Sequence, residues 1–396
     1  MKSKNYKSGA LRGKFFYFLG RNIIGDALLK SRDFKGERYK IGNEPFLLFA
    51  NHADNLDPAY EIVTLRKYIR FVMSDHLTNN KFIRVFLKIT ASPIIKHHNE
   101  SSDVLFEEIR NTARAGVSVG VHIEGEKTST GETGYISKRN AVLAKECGCR
   151  LITYRLTGGY LKVPRWADEK RKGPIHGEIA HIYSVEEIKE MSVDELYECI
   201  CKDLYVNAYE EQKVNPQKYI AENPAQSAEI TLYGCPKCKK IGTLKSAGSC
   251  LSCGCGFKAV IDDYGFWYGD SLPFDNITDW DKFQKNLLKE LTDKYRGAEV
   301  ELFSDSKQII YTLENNEINI KSSDAEFRLF GDRLEIESKD YSDIIPIENI
   351  KRINIAGKSN LLLVTNNKYY DIRCNTPRSA SKYVVAVRYL QGKECY

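Results

Sequence analysis

Short apolar, β-branched runs recur along residues 1–210 and alternate with longer stretches that mix apolar and polar positions. The runs 46-FLLFA-50, 71-FVMS-74, 91-ASPII-95, 117-VSVGVHI-123 and 150-RLITYRL-156 have the length and branching of strands. The stretches 58-PAYEIVTLRKYI-69 and 137-SKRNAVLAKECG-148 predict helices. This alternation predicts an α/β domain.

Around 211-EQKVNPQKYIAENPAQSAE-229 the chain turns polar and carries two Asn-Pro pairs, so a boundary is expected near residue 215. The expected organisation is a first domain over 1–215, a cysteine-rich segment over 230–262, a bridging segment over 263–299 that includes 279-DWDKFQKNLLKEL-291, and a last module over 300–396. In that module six short strand-like runs, from 308-QIIYTL-313 to 368-KYYDIR-373, are separated by Asn, Gly, Asp and Ser turns, and 379-SASKYVVAVRYLQ-391 closes the chain as a helix. Several strands and one terminal helix predict a small β-barrel or sandwich that resembles the pleckstrin-homology-like modules.

A length of 396 residues, with 42% hydrophobic and 28% charged content, predicts two or three globular domains. No run approaches the ~20 apolar residues of a membrane-crossing helix, and the N-terminus lacks the small-residue cleavage site of a signal peptide. A cytoplasmic location is therefore expected. The net charge of +6 is uneven: residues 1–40 hold eleven Lys and Arg against three Asp and Glu, or +8, which leaves −2 for the rest. Within that basic segment, 11-LRGKFFYFLGRNIIGDALLK-30 interleaves Phe15, Phe16, Phe18, Leu19, Ile23 and Ile24 with Arg12, Lys14, Arg21 and Lys30. This pattern suits an interfacial helix on an anionic membrane surface. It also suits an amphipathic helix packed on its own domain.

Eleven cysteines without a secretory signal point to reduced thiols rather than a disulfide framework. Five of them lie in 235-CPKCKKIGTLKSAGSCLSCGCG-256, where C-x-x-C occurs twice with eleven residues between. That spacing resembles a zinc ribbon, with Cys235, Cys238, Cys250 and Cys253 as the expected thiolates of a closed, structural Zn²⁺ site. Cys255 is the spare, or replaces Cys253.

The candidate chemistry begins at 48-LFANHADNLDPAYE-61. On the predicted elements His52 sits in the loop after a strand, where α/β folds place their sites, and Asp57-Pro58 opens the next helix with Asp57 as its N-cap. An imidazole held by a carboxylate is a general base suited to neutral pH, because the carboxylate fixes the ring tautomer and stabilises the imidazolium. No Cys lies in the His52 loop, so direct attack by a substrate hydroxyl is expected rather than a covalent acyl-enzyme. Further on, Glu124-Gly125 ends a strand-like run and opens a polar loop, where Lys127, Lys138 and Arg139 with loop amides would suit a phosphate.

Asn51-His52 with Asp57, followed by Glu124-Gly125, resembles the glycerolipid acyltransferase family, best known for the 1-acyl-glycerol-3-phosphate acyltransferases. The resemblance covers about residues 40–200. The family's first block, N-H-x-x-x-x-D, is matched by Asn51, His52 and Asp57. Its block F-P-E-G-T-R-S falls on His122 to Thr128, of which Glu124 and Gly125 are identical. The family's phosphate-binding arginine is replaced in 93-PIIKHHN-99 by Lys96 or His97, and Thr153 stands where a later block has Pro.

The resemblance implies a three-layer α/β catalytic domain in which His52 removes the acceptor's hydroxyl proton and Asp57 orients His52. Asn51, Lys96, His97, Glu124, Gly125, Lys127 and Thr128 would form the substrate site. The donor would be acyl-CoA, acyl carrier protein or an acyl phosphate. The acceptor would be a lysophospholipid, 1-acyl-sn-glycerol-3-phosphate first, on a membrane reached peripherally from the cytoplasmic side. The departures at the phosphate-binding blocks bear on the acceptor, since a lysine lacks the guanidinium fork. Two other readings stand beside this one: an acyltransferase with another acceptor, and a non-catalytic zinc-ribbon protein that adsorbs lipid or nucleic acid through its basic N-terminus. Nucleic acid is the less expected partner, because the basic segment is rich in Phe, Leu and Ile.

Overall fold

A computed structural model describes residues 11–15, 17–18, 25–74, 85, 90–97, 101–270, 272–314 and 317–394. Two compact units emerge: Met1–Val163 with Lys172–Gln217, and Pro164–Arg171 with Lys218–Tyr396.

The first unit is built on a seven-stranded sheet of β1 (Phe34–Gly36), β2 (Phe46–Ala50), β3 (Arg70–Ser74), β4 (Ile94–Lys96), β5 (Val119–His122), β6 (Arg150–Thr157) and β7 (Ile175–Tyr183). Its order is β1-β7-β6-β2-β5-β3-β4. All neighbours run parallel except the antiparallel pair β6–β7. Strand β2 is buried at every position, because helices cover both faces of the sheet. Leu47 and Phe49 join Ile109, Leu143, Leu196 and Ile200 on one face. Phe46, Leu48 and Ala50 join Leu29, Tyr60 and Val63 on the other. This is the α/β architecture that the sequence pattern predicts.

Some elements were not visible in that pattern. β7 alternates irregularly, with polar His176, Glu178 and His181 between its apolar positions. The helices Val185–Glu190 and Val193–Leu204 start at full capping boxes, Ser184 with Glu187 and Ser192 with Glu195.

Of the segment 11–30, residues 11–15, 17 and 18 are helical, as are Asp26–Ser31, while Phe16, Leu19, Arg21, Ile23 and Ile24 lie outside the described residues. Gly13 is pressed onto Tyr68, where an added Cβ would stand 2.3 Å from the ring. Leu11, Phe15 and Phe18, spaced as one helical stripe, are more than 60% exposed. Among the described residues no helix is long and apolar enough to cross a membrane.

The second unit begins with an antiparallel sheet of β8 (Leu244–Ala247), β9 (Cys250–Cys253), β10 (Lys258–Ile261) and β11 (Trp267–Tyr268). The helix Ile277–Tyr295 packs against it. Trp280 donates from its indole to the Gly234 carbonyl (2.9 Å), and Gln284 Oε1 accepts from the Tyr233 amide (2.8 Å). The expected bridging segment thus contributes to this unit's core.

Seven antiparallel strands follow: β12 (Glu301–Glu314), β13 (Glu317–Phe330), β14 (Arg333–Glu337), β15 (Ser342–Pro346), β16 (Ile350–Ala356), β17 (Asn360–Thr365) and β18 (Tyr369–Cys374), in the order β15-β14-β13-β12-β18-β17-β16. Register shifts along the β12–β13 pair bend the two long strands. Phe327, Leu334, Leu363 and Ile372 fill the interior with Tyr383 and Ala386 from the terminal helix Ser381–Leu390. Pro164–Arg171 joins this unit: Asp168 accepts from the Ser227 hydroxyl (2.6 Å) and from Lys358 (2.8 Å).

Candidate active site

β2 delivers Asn51 and His52 to the carboxyl end of the parallel strands. Asn51 imitates a backbone group there: its amide donates to the Leu156 carbonyl (2.8 Å) and its Oδ1 accepts from the Leu156 amide (2.7 Å), which fixes the loop to the end of β6. His52 Nδ1 lies 2.8 Å from Asp57 Oδ2. The same oxygen accepts from the amides of Ala53 (2.8 Å) and Asp54 (2.9 Å). The turn 53–57 is therefore wrapped around this one carboxylate.

Asp57 was expected as the N-cap of the following helix; it is instead the first helical residue, after Leu56, and its side chain turns back into the loop. The Asp57 side chain is 1% exposed and that of His52 20%. Burial pushes the Asp57 carboxyl up to about 7, against the lowering effects of His122 and of the two amides.

Glu124 ties the site together. Its Oε1 accepts from the His52 amide (2.8 Å) and its Oε2 from the Gly134 amide (2.7 Å), so both oxygens serve the loop backbone. Burial raises its pKa, and the amides act against that rise. Gly125 turns the chain at φ +77°, a region costly for any side chain, and its amide donates to the His122 carbonyl (3.0 Å). Thr128 donates its amide to the His52 carbonyl (3.0 Å), and its hydroxyl donates to the Glu132 carbonyl (2.6 Å). Lys96 ends β4 in an exposed position beside Gly125, with exposed His97 next to it, and Lys127 is half-buried in the loop. A small pocket adjoins the site, lined among others by Asn51, Ala53, Glu124, Thr128 and Tyr160.

The sequence reading missed a second carboxylate–imidazole pair. Glu61 lies one helical turn beyond Asp57 on the helix Asp57–Leu65, fully buried, with Oε1 3.0 Å from His122 Nε2. The His122 ring stacks on His52, with centroids 4.3 Å apart, and on Phe71 at 5.7 Å. Burial works against a charged His122, but Glu61, Asp57 and Glu124 outweigh it and raise its pKa; burial also raises Glu61. Asp54 was missed as well. It is paired with Arg32 (2.5 Å), which also donates to the Tyr60 hydroxyl (3.0 Å).

One serine has the flanking glycines of a nucleophile elbow, in Gly116-Val117-Ser118-Val119-Gly120. The Ser118 hydroxyl accepts from the Phe46 amide (3.3 Å) at the start of β2. It therefore sits at the end of the sheet opposite His52 and cannot share its chemistry.

In the second unit the structure gathers Cys235, Cys238, Cys253 and Cys255, not the expected set with Cys250. Strand alternation is the reason: Cys253 shares a face of β9 with buried Leu251, and Cys250 points to the other side. The turn 253–256, closed by the Gly256 amide on the Cys253 carbonyl (3.0 Å), brings exposed Cys255 to Cys235. Sulfur separations of 3.7 Å for Cys235–Cys255 and 3.8 Å for Cys238–Cys253 match the ~3.8 Å edge of a tetrahedron with ~2.3 Å Zn–S bonds.

Residues 31–157 match the family model described as Acyltransferase. The matched segment contains His52, Asp57, Glu124 and Gly125. No curated protein matches the chain. Among solved structures, the chain is similar to the 1-acyl-sn-glycerophosphate acyltransferase PlsC from Thermotoga maritima, at 16% identity over 50% of this chain and 86% of that one, with a TM-score of 0.39. It is also similar to the Vps36 N-terminal PH domain (11% identity, 26% and 96% covered, TM-score 0.20) and to the human ARAP2 N-terminal PH domain (12%, 22% and 80%, TM-score 0.18).

Proposed function

We propose that the protein moves a fatty acyl group from an acyl thioester or acyl phosphate to the free hydroxyl of a lysophospholipid, with 1-acyl-sn-glycerol-3-phosphate as the first candidate acceptor. The observation that carries this reading is the His52–Asp57 pair inside the matched acyltransferase segment, with the carboxylate buried and the imidazole reaching solvent. His52 takes the hydroxyl proton as the oxygen attacks the acyl carbon, and Asp57 stabilises the resulting imidazolium. The carbon–oxygen ester bond forms, the bond to the carrier breaks, and His52 returns the proton to the leaving thiolate or phosphate. Lys96 and Lys127 supply positive charge for an acceptor phosphate. An activity screen of acyl-CoA and acyl carrier protein donors against a panel of lyso-lipids tests the reaction.

The stacked His122 bears on this base. A cation held by Glu61 against the face of His52 and beside Asp57 disfavours the imidazolium, and it holds the Asp57 carboxyl lower than burial alone would. In the variant Glu61→Gln/His122→Phe that cation is lost without leaving a buried charge unpaired. Asp57 and Glu124 remain the charged groups near His52. The acid limb of the kcat/KM profile is expected to move to higher pH by about one unit. An unmoved limb would show that the second pair only supports packing.

Membrane docking through the N-terminal helix, from the cytoplasmic face, belongs to the same proposal and is supported by the exposed stripe of Leu11, Phe15 and Phe18. Replacing all three by Ser is expected to weaken sedimentation with anionic vesicles by at least about 10²-fold, at roughly 1.5–3 kcal/mol per buried large apolar side chain. Unchanged sedimentation with an unchanged Tm would remove the segment from the docking surface.

The four gathered thiols are read as a structural Zn²⁺ ribbon, since four sulfurs leave the ion no open position. The strand order and terminal helix of the last module support a pleckstrin-homology-like fold.

A further inference from the structure

A second, small pocket lies within the second unit where the cysteine-rich sheet meets the terminal helix. Arg378 lines it and is only 3% exposed. Its Nη2 donates to the carbonyls of Ser359 (3.1 Å) and Ile372 (3.2 Å), and its guanidinium lies 5.7 Å from the Tyr383 ring centroid. Nε and Nη1 are buried and meet no protein acceptor among the described residues. Asp305 is not its counter-ion: that carboxylate takes Lys382 Nζ (3.0 Å) and the Tyr383 hydroxyl (2.7 Å). The same pocket presents the reverse deficiency, because Glu229 accepts from the Ser246 amide (3.3 Å) through Oε1 while its buried Oε2 meets no protein donor. Exposed Lys245 stands at the pocket as well.

A guanidinium buried without an anion is costly, and so is a carboxylate oxygen buried without a donor. One ligand satisfies both if it carries oxyanions for Arg378 and a hydroxyl for Glu229. We propose that this pocket binds a phosphate that retains a proton, either inorganic phosphate or a phosphomonoester, through Arg378 and Glu229 with Lys245 adding attraction at its mouth. Sulfate has the same shape and no proton at neutral pH, so Glu229 selects against it. This site lies outside the acyltransferase segment and does not rest on the acyl-transfer reading.

Calorimetric titration of the 396-residue chain with inorganic phosphate, sulfate and glycerol 3-phosphate tests the proposal. Saturable phosphate binding is expected, with sulfate weaker by about tenfold because it leaves Glu229 without a donor. Glu229→Gln should bring the two anions together, and Lys245→Glu, at an exposed position, should weaken both. Arg378→Gln should abolish binding; should it fail to fold, the other two variants still decide. Vesicles containing phosphatidate, whose headgroup is a phosphomonoester, are expected to show the same Glu229 dependence if the ligand is a lipid, whereas glycerol 3-phosphate and phosphate alone will show it if the ligand is free. No saturable phosphate binding would overturn the proposal. So would equal binding of sulfate by the native chain, or binding abolished by Lys96→Ala and untouched by Lys245→Glu.

Discussion

Asp57→Asn is expected to reduce acyl transfer by about 10³–10⁴-fold, on the scale seen when a carboxylate that orients a catalytic histidine is made neutral. An Asn oxygen in the place of Oδ2 can still accept from the Ala53 and Asp54 amides and from the His52 Nδ1–H, so the turn and the ring tautomer persist, but the neutral amide no longer stabilises the imidazolium that forms. The stability effect has the opposite sign. Burial raises the Asp57 pKa to about 7 in the folded protein, so its contribution to stability is full below the ordinary carboxylate range and is lost as pH rises through about 7. Above pH 7 the folded state therefore holds a buried charge that Asn removes, and the Tm of the variant at pH 8 should equal or exceed that of the native protein. The same titration predicts that native activity falls as pH drops through about 7, as the carboxylate takes up its proton. An active Asp57→Asn enzyme, or one inactive because it unfolds, would contradict this account of the pair.

The second large effect concerns the four thiols. A structural Zn²⁺ contributes about 10–16 kcal/mol of apparent binding free energy near neutral pH, and in a small metal-centred sheet this is largely folding free energy. Cys255→Ser is therefore expected to release the metal and unfold the cysteine-rich sheet, while Cys250→Ser keeps about one Zn²⁺ per chain and a near-native Tm. Metal analysis and melting curves separate the two variants. Loss of metal in Cys250→Ser with retention in Cys255→Ser would reverse the ligand assignment.

The contrast between these two sites shows what local sequence can reveal. The contact of His52 with Asp57 spans five residues between a strand end and a helix start, and its geometry is set almost wholly by that turn, so spacing was enough to anticipate it. The Glu61–His122 pair joins residues 61 apart in sequence and exists only because β5 lies beside β2 in the sheet; nothing near either residue announces the other. Its one local signal is that Glu61 follows Asp57 by a helical turn and so shares its face.

The placement of Cys250 turns on a different feature. Matching C-x-x-C twice ignores that a strand through 250–253 sends its first and last residues to opposite faces. Buried Leu251 fixes which of them faces inward. Glu124 was anticipated as a group that shapes the acceptor site, yet both its oxygens hold backbone amides, a role visible only once the two loops are brought together.

His52 is proposed as the base of an acyl transfer to a lysophospholipid hydroxyl. The most direct measurement follows the diacyl product formed by purified native protein and by His52→Ala, with acyl-CoA and acyl carrier protein donors and a panel of lyso-lipid acceptors on anionic vesicles. Product is expected from at least one donor–acceptor pair with the native protein, and a rate at least ~10²-fold lower with His52→Ala at unchanged vesicle binding. Near-native rates in the variant, or no product from the native protein on any pair, would contradict that assignment.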